Sequence, residues 1–251
     1  MIVFDRKFYY KFTKLVDRLY KISPSATAAM LKTFYNFNSE KSIYIKELSC
    51  IYMPVPKVGT KSVQKIFADY YVNEHDDARF DTQSINSKGL PFSFISKKKV
   101  SRFADKCFVF SFVRNPYHRI LSCYLDKIKK ETSYKGFLRY GNKFWKSMTF
   151  FEFLETIQKI PDSDADQHFQ SQASILSDQN NNLLPHFIGK LENFEDDFRI
   201  LSHKLKTDSL KVAHQNRSKM KNRRSFLNQT TKELIFKRYE IDFEQFDYPH
   251  D

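Results

Sequence analysis

The sequence predicts an α/β fold of three layers, in which a mainly parallel central sheet is flanked by helices. Short apolar runs with strand character alternate with helical patterns along the 251 residues, as in chains built from β-α-β units. The run CFVFSFV at 107–113 is apolar at nearly every position, which is typical of a central strand covered on both faces. With 41% hydrophobic residues, the chain has enough apolar side chains to build a core.

The elements are predicted in order from hydrophobic periodicity. Segments 73–105 and 131–148 are polar with scattered aromatic residues, and we interpret them as substrate loops or lids. Pro116 takes a favoured position in the first turn of its helix. The predicted strands are 43–55, 107–113, 186–192 and a weaker 209–213, and the predicted helices are 61–71, 116–130, 149–160, 192–205 and 230–239.

One domain is predicted for residues 1–251, with a helical extension at 1–40 and a core at 41–251. Phe8, Phe12, Leu15 and Leu19 recur at helical spacing beside a basic face. We interpret this helix first as a packing or docking element, with peripheral membrane contact as the alternative. Charges interrupt the apolar residues every few positions, so the pattern is neither a signal peptide nor a transmembrane segment.

The composition indicates an anionic partner. Lys and Arg total 42 against 29 Asp and Glu, a net charge of +13, which favours nucleic acid, an acidic polymer, a phosphorylated cofactor or a membrane surface. The cysteines, Cys50, Cys107 and Cys123, are odd in number and have no metal-site spacing. We therefore expect a reducing, cytoplasmic compartment and no metal.

Residues 56–62, PKVGTKS, join a predicted strand to a predicted helix. Free N–H groups at a helix N-terminus and the helix dipole favour an anion there. Gly59 allows unusual backbone conformations, and lysines and hydroxyls surround it. A nucleotide triphosphatase loop would carry Gly where Val55 and Thr60 stand, so that class is disfavoured. A plain strand-to-helix turn with lysines present by chance is the alternative.

A second motif, FVRNPYHRILSCYLDK, covers 112–127. Arg114 ends a predicted strand, where α/β folds bind ligands. Arg119, Ser122 and Asp126 have the spacing to share one helix face. An arginine with a hydroxyl suits a phosphate monoester, although Arg114 paired with a carboxylate is an open alternative. The two motifs together indicate a ligand with two separate phosphate-like groups.

Taken together, PKVGTKSV and FVRNPYHRILSCYLDK resemble the cofactor motifs of carbohydrate sulfotransferases, which use 3′-phosphoadenosine-5′-phosphosulfate (PAPS). Three later blocks are similar to the Golgi chondroitin-type enzymes of sulfotransferase family 2, in the same order. The blocks are DQHFQSQ at 166–172, HFIGKLENFEDDF at 186–198 and YEIDFEQFDY at 239–248. The membrane anchor and lumenal cysteines of the animal enzymes have no counterpart, which predicts a soluble, bacterial-type member.

The resemblance implies a P-loop-NTPase-like sulfotransferase fold with a catalytic core at 41–251. It implies sulfuryl transfer from PAPS to a carbohydrate hydroxyl, without a metal. Arg114 and Ser122 are expected to hold the 3′-phosphate, and Lys57 to contact the bridging or leaving oxygen. The expected contacts of the 5′-phosphosulfate are Lys57, Val58, Gly59, Thr60, Lys61 and Ser62.

A sugar hydroxyl needs a general base, and histidine is the usual choice near neutral pH. His168 is our first candidate because it lies in the family-like block DQHFQSQ. His75 is the second, and a carboxylate base such as Asp166 stays open. We interpret His118 and His186 as structural.

The basic loop 214–224, HQNRSKMKNRR, is expected by the resemblance to close over the 3′-phosphate and adenine through Arg217 and Lys219, with Arg223 as a further candidate. Binding of an acidic glycan and a solvated loop are the alternatives. The competing functions are the same donor with a lipid-linked or small-molecule acceptor, and a non-enzymatic module for nucleic acid or acidic glycan. Nucleic acid is disfavoured because the informative basic residues lie at strand ends beside Gly, Thr and Ser. The oligomeric state stays open.

Overall fold

We describe the fold from a computed structural model of the chain. It describes residues 41–75, 92–130, 137, 140, 141, 143–207, 210 and 223–250. The predicted extension at 1–40 lies outside the described residues. So do residues 211–222, which include most of the basic loop and of the weak strand predicted at 209–213.

The described residues form strands that alternate with helices. The strands are β1 (Lys41–Ile45), β2 (Cys50–Met53), β3 (Phe92–Ser96), β4 (Phe108–Val113) and β5 (Phe187–Lys190). The α-helices are α1 (Thr60–His75), α2 (Lys97–Phe103), α3 (Pro116–Tyr124), α4 (Phe150–Gln158), α5 (Gln172–Leu176), α6 (Phe194–Lys204) and α7 (Gln229–Gln245). Short 3₁₀ turns lie at Asp162–Asp164, Leu191–Asn193 and Arg223–Phe226, and a π turn at Leu125–Lys129.

The sheet is mixed, with strand order β3-β1-β2-β4-β5. Strands β2, β4 and β5 are parallel, whereas β1 is antiparallel to both β2 and β3. The prediction of a mainly parallel sheet was therefore wrong. The apolar run 43–55 is a hairpin rather than one strand, and Ser49 closes its turn with a φ of 46°. That turn contains no Gly or Pro, so the sequence carried no strong turn signal.

The segment 73–105 is more regular than expected, because it contains the edge strand β3 and helix α2. Neither element has a strong local pattern. Strand β3 acquires its order by pairing with β1, where Ile43 lies opposite Phe94. In α2 only Val100 is buried, so the helix shows little apolar periodicity. Tertiary contacts decide both elements, which is why sequence periodicity missed them.

Aromatic packing on β4 fixes two of the flanking helices. Phe67 of α1 lies 5.5 Å from Phe110, and Phe198 of α6 lies 5.9 Å from Phe112, between ring centroids. All four rings are buried, and each contributes about 1.5–3 kcal/mol of hydrophobic stabilisation. A Cβ on Gly189 of β5 would lie 2.4 Å from the ring of Phe112. The sheet flanked by helices is thus confirmed, and a side chain at 189 is sterically excluded.

The carboxyl ends of three parallel strands meet at one edge of the sheet. Met53 of β2 lies opposite Ser111 of β4, and Val113 of β4 lies opposite Lys190 of β5. The segments that follow these strands therefore converge, as expected for a ligand site in an open α/β sheet. Within the described ranges, no helix combines the length and the apolar character that a bilayer span requires.

Candidate functional site

The loop 54–59 joins β2 to α1 and is folded back on itself. The hydroxyl of Thr60 donates a hydrogen bond to the carbonyl of Val55 at 2.7 Å. Lys57 and Gly59 have φ values of 73° and 83°. A Cβ on Gly59 would lie 3.0 Å from the side chain of Leu191, so this position needs glycine for both conformation and space.

This loop has the properties of an anion site. Helix α1 begins directly after Gly59, whose carbonyl accepts from the N–H groups of Ser62 and Val63 at 2.8 and 3.2 Å. The N-terminus of a helix favours an anion. The first turn of α1 carries no acidic residue, so the positive end of the helix dipole is not neutralised there. The side chain of Val58 is fully buried, so a ligand would meet only its backbone. The residues present therefore fit a phosphate or phosphosulfate group.

Arg114 connects the end of β4 to this loop. Its Nη1 donates to the carbonyl of Lys57 at 3.1 Å. Its own backbone is clamped by Gln172 of α5, which accepts from the Arg114 N–H at 2.9 Å and donates to the Arg114 carbonyl at 2.8 Å. The loop 54–59 and Arg114, which were predicted to bind two separate phosphate-like groups, are thus joined by a hydrogen bond.

Arg119 has a role that the sequence did not reveal. It is only 1% exposed and donates to three backbone carbonyls. Its Nε reaches Pro56 at 3.2 Å, its Nη2 reaches Gln167 at 2.7 Å and its Nη1 reaches Gln170 at 2.7 Å. One guanidinium therefore ties the loop 54–59 to both sides of His168.

His168 is oriented by Asp166. The His168 Nδ1 lies 2.6 Å from Oδ1 of Asp166, and the backbone N–H of His168 donates to the same oxygen at 3.0 Å. Asp166 is buried, whereas 32% of the His168 side chain is exposed. A neutral imidazole that donates from Nδ1 presents Nε2 as its proton acceptor.

Cys123 is a buried free cysteine on α3. Burial, the largest cause, and the charge of Asp166 together raise the pKa of Cys123 to about 12, although the charges of Arg119, Lys57 and Lys127 lower it. The thiol is therefore protonated at neutral pH and is not a nucleophile.

Lys57 has an acidic partner that was not predicted. Its Nζ lies 2.9 Å from Oδ2 of Asp126, whose Oδ1 accepts from Lys130 at 2.9 Å. Burial alone would raise the pKa of Asp126, but the hydrogen bonds and charges of Lys57 and Lys130 hold it well below its usual range. Asp126 is thus ionised. It lies on the π turn after α3, a local irregularity that is frequent at functional sites.

A sequence model of the protein family described as "Sulfotransferase family" matches residues 41–249 of the chain. The chain belongs to the sulfotransferase family. This confirms the family predicted from the five sequence blocks, and it makes the chain a transferase. No curated protein and no solved structure matches it.

Two of the family-like blocks support the sulfotransferase site rather than line it. Glu192 accepts from the N–H of Asn115 at 3.1 Å and from the hydroxyl of Tyr248 at 3.0 Å. Lys190 places its Nζ 4.7 Å from the ring centroid of Tyr248. The segment after β5 and the C-terminal segment therefore hold the turn that contains Arg114.

Asp242, in the last block of the sulfotransferase, caps α5 from inside the core. It accepts from the N–H groups of Gln172 at 2.9 Å and Ala173 at 2.8 Å. Burial raises its pKa to about 6, although the charge of Arg119 and the two backbone hydrogen bonds oppose that change. Through Gln172, this carboxylate supports the backbone of Arg114.

The structure brings most predicted site residues of the sulfotransferase to one edge of the sheet. These residues are Lys57, Val58, Gly59, Thr60, Lys61, Ser62, Arg114, Ser122 and His168. Ser122 is half-buried on α3, and Lys61 is exposed. Arg217 and Lys219 lie outside the described residues.

Of the other histidines considered above, His75 lies far from this edge and His186 serves the fold. His75 ends α1, so its backbone lies about 22 Å from the helix start beside the loop. His186 accepts from the N–H of Val109 at 2.9 Å, in line with a structural role. His118 is exposed on α3. The described residues contain no group of three or more His, Cys, Asp or Glu positioned to hold a metal.

Proposed function

We propose that this sulfotransferase moves the sulfuryl group of PAPS to a hydroxyl of a carbohydrate, with His168 as the general base. The observation that carries the proposal is the set of hydrogen bonds made by Arg119. One guanidinium donates to the carbonyl of Pro56 in the loop and to the carbonyls of Gln167 and Gln170 on either side of His168. A donor at the loop and an acceptor at His168 would then be neighbours, as in-line transfer requires.

The residues of the loop would hold the donor and stabilise its leaving phosphate. The amides at the start of α1 point at the 5′-phosphosulfate, and Lys57 supplies a cation at the leaving oxygen. Arg114 and Ser122 hold the 3′-phosphate at the adjacent strand end. Backbone donors that are already in place stabilise developing charge without reorganisation.

His168 would take the proton of the acceptor hydroxyl on Nε2. The new oxygen–sulfur bond forms as the bond between sulfur and the 5′-phosphate oxygen breaks, and the nucleotide leaves as 3′-phosphoadenosine-5′-phosphate (PAP). Asp166, at 2.6 Å from Nδ1, keeps the ring in the required tautomer and stabilises the imidazolium that forms. This division of tasks is the one established for histidine–carboxylate pairs in acyl transfer.

Aromatic residues beside His168 support a carbohydrate acceptor. The ring of Phe137 lies edge-on to the ring of His168, with 6.4 Å between the centroids. The centroid of the Phe144 ring lies 4.9 Å from that of Phe137. Trp145 follows Phe144, and its side chain is 42% exposed. An exposed amphipathic ring suits a ligand that is apolar on one face and polar at its edges, as a pyranose ring is.

Calorimetry with PAP tests this proposal on the wild type, Arg114→Ala and a matched control, Arg102→Ala. Arg102 is exposed on α2. We expect micromolar binding by the wild type and by the control. Loss of the phosphate contact in Arg114→Ala should weaken binding at least about tenfold. Absence of binding by the wild type would overturn the proposal.

A further inference from the structure

The ammonium of Lys57 is already engaged in the structure. Asp126 holds it at 2.9 Å, and Lys130 holds the other oxygen of Asp126 at 2.9 Å. The side chains of Lys57 and Asp126 are 18% and 28% exposed. The three charges form a short row, in which Asp126 is the only acidic member. The row ends at the loop 54–59, which we call the donor loop because the donor is proposed to bind there.

The backbone of Lys57 is fixed while its side chain can move. Its φ of 73° lies in the left-handed region, which a non-glycine residue keeps only where its surroundings impose it. Arg114 holds the Lys57 carbonyl and Arg119 holds the preceding carbonyl of Pro56. The Lys57 side chain, in contrast, forms one ion pair among the residues that the structure describes, and that pair is partly open to solvent.

A phosphosulfate at this loop would need the same ammonium that Asp126 holds. Two anions that share one cation repel each other, and the pairing of Asp126 with Lys130 lowers the cost of giving up Lys57. We propose that Asp126 is the resting counter-ion of Lys57, and that it releases this ammonium to the donor while Lys130 remains its partner. The proposal rests on the function proposed above and concerns the same site.

Asp126 is then a positioning residue that acts through Lys57. Its negative charge weakens the binding of every nucleotide anion at the loop, including the product PAP. When PAP leaves, Asp126 recovers the ammonium, so the cation is not left unpaired. The enzyme thereby trades some donor affinity for product release.

The test uses calorimetry with PAP on variants that change the charge row in opposite directions. Asp126→Asn removes the competing charge, so PAP should bind about 3- to 10-fold more tightly at low salt. Lys130→Ala leaves Asp126 with Lys57 as its only partner in the row, so PAP should bind about 2- to 3-fold more weakly. Both differences should shrink at high salt.

A matched control is Asp69→Asn. Asp69 is also paired with a lysine, Lys65 at 2.7 Å, and its backbone lies about 13 Å along α1 from Thr60. This variant makes the same change in net charge and should bind PAP within about twofold of the wild type. Thermal unfolding of each variant confirms that it is folded.

Opposite shifts in the two variants of the row, with the control unchanged, support the proposal. Unchanged or weaker binding by Asp126→Asn overturns it, because the pair would then build the site instead of competing with the ligand. An equal gain in Asp69→Asn also overturns it, since the effect would be one of net charge. Failure of the wild type to bind PAP would instead overturn the proposed function.

Discussion

The donor loop and the His168 segment share Arg119 but are held in different ways. In the loop the backbone is fixed, because Arg114, Arg119 and Thr60 bond its carbonyls, while the Lys57 side chain rests on an ion pair. In the other segment the side chain proposed as the base is itself fixed, because Asp166 holds Nδ1 of His168. The difference matches the tasks proposed for the two residues. The ammonium of Lys57 must be able to move to the developing negative charge, whereas the ring of His168 must keep a fixed orientation.

The largest effect is expected on the loop side. Lys57→Ala should lower turnover about 10³–10⁵-fold, because it removes the cation proposed for the leaving oxygen. Initial rates of PAP formation in the presence of an acceptor measure this. Lys61→Ala, which changes an exposed lysine of the same loop region, should cost less than about tenfold. Equal losses in the two variants would contradict a specific role for Lys57.

On the other side, His168→Ala should lower turnover about 10²–10⁴-fold and leave PAP affinity unchanged, because the base does not contact the nucleotide. Asp166→Asn should give a smaller loss, since the ring remains but its tautomer is no longer enforced. His118→Ala is the control, as that histidine is exposed on α3. Near-normal turnover in His168→Ala would move the role to another base, such as a carboxylate.

Arg119→Lys should destabilise the loop 54–59 and the His168 segment together. A lysine can replace at most part of the fork that reaches Pro56, Gln167 and Gln170, and each buried acceptor left without a donor costs about 1–3 kcal/mol. We expect a lower unfolding temperature, weaker PAP binding and slower turnover together. Arg199→Lys, on the exposed face of α6, should change none of them. A variant that lost only one function would show that the two sides are not joined through Arg119.

The smallest effect concerns Asp242, which supports Arg114 through α5. Its pKa is raised to about 6 in the folded protein against an ordinary value of 3.8. The folded state therefore binds this proton more tightly, and stability from this group is present below pH 4 and is lost as pH rises through about 6. The unfolding temperature of the wild type relative to Asp242→Asn should fall between pH 4 and pH 7. A rise over that range would contradict the assignment.

The sequence was informative where one segment contains the whole feature. The PKVGTKS loop needs a strand, a glycine and a helix start in series, and Arg114 and Ser122 are eight residues apart on one motif. The pairing of Lys57 with Asp126 joins residues far apart in the chain, and the role of Arg119 is defined by backbone carbonyls, which leave no trace in residue types. Likewise, strand β3 and helix α2 are held by tertiary contacts, and the hairpin of β1 and β2 lacks a glycine or proline in its turn.

Transfer of label from PAPS carrying ³⁵S to a panel of desulfated polysaccharides tests the central claim most directly. We expect the wild type to place label on at least one carbohydrate and to form an equal amount of PAP. His168→Ala should bind PAP as the wild type does and place little label. Label transfer by His168→Ala at the wild-type rate would contradict the proposed base. PAP binding by the wild type without transfer to any carbohydrate would contradict the proposed acceptor.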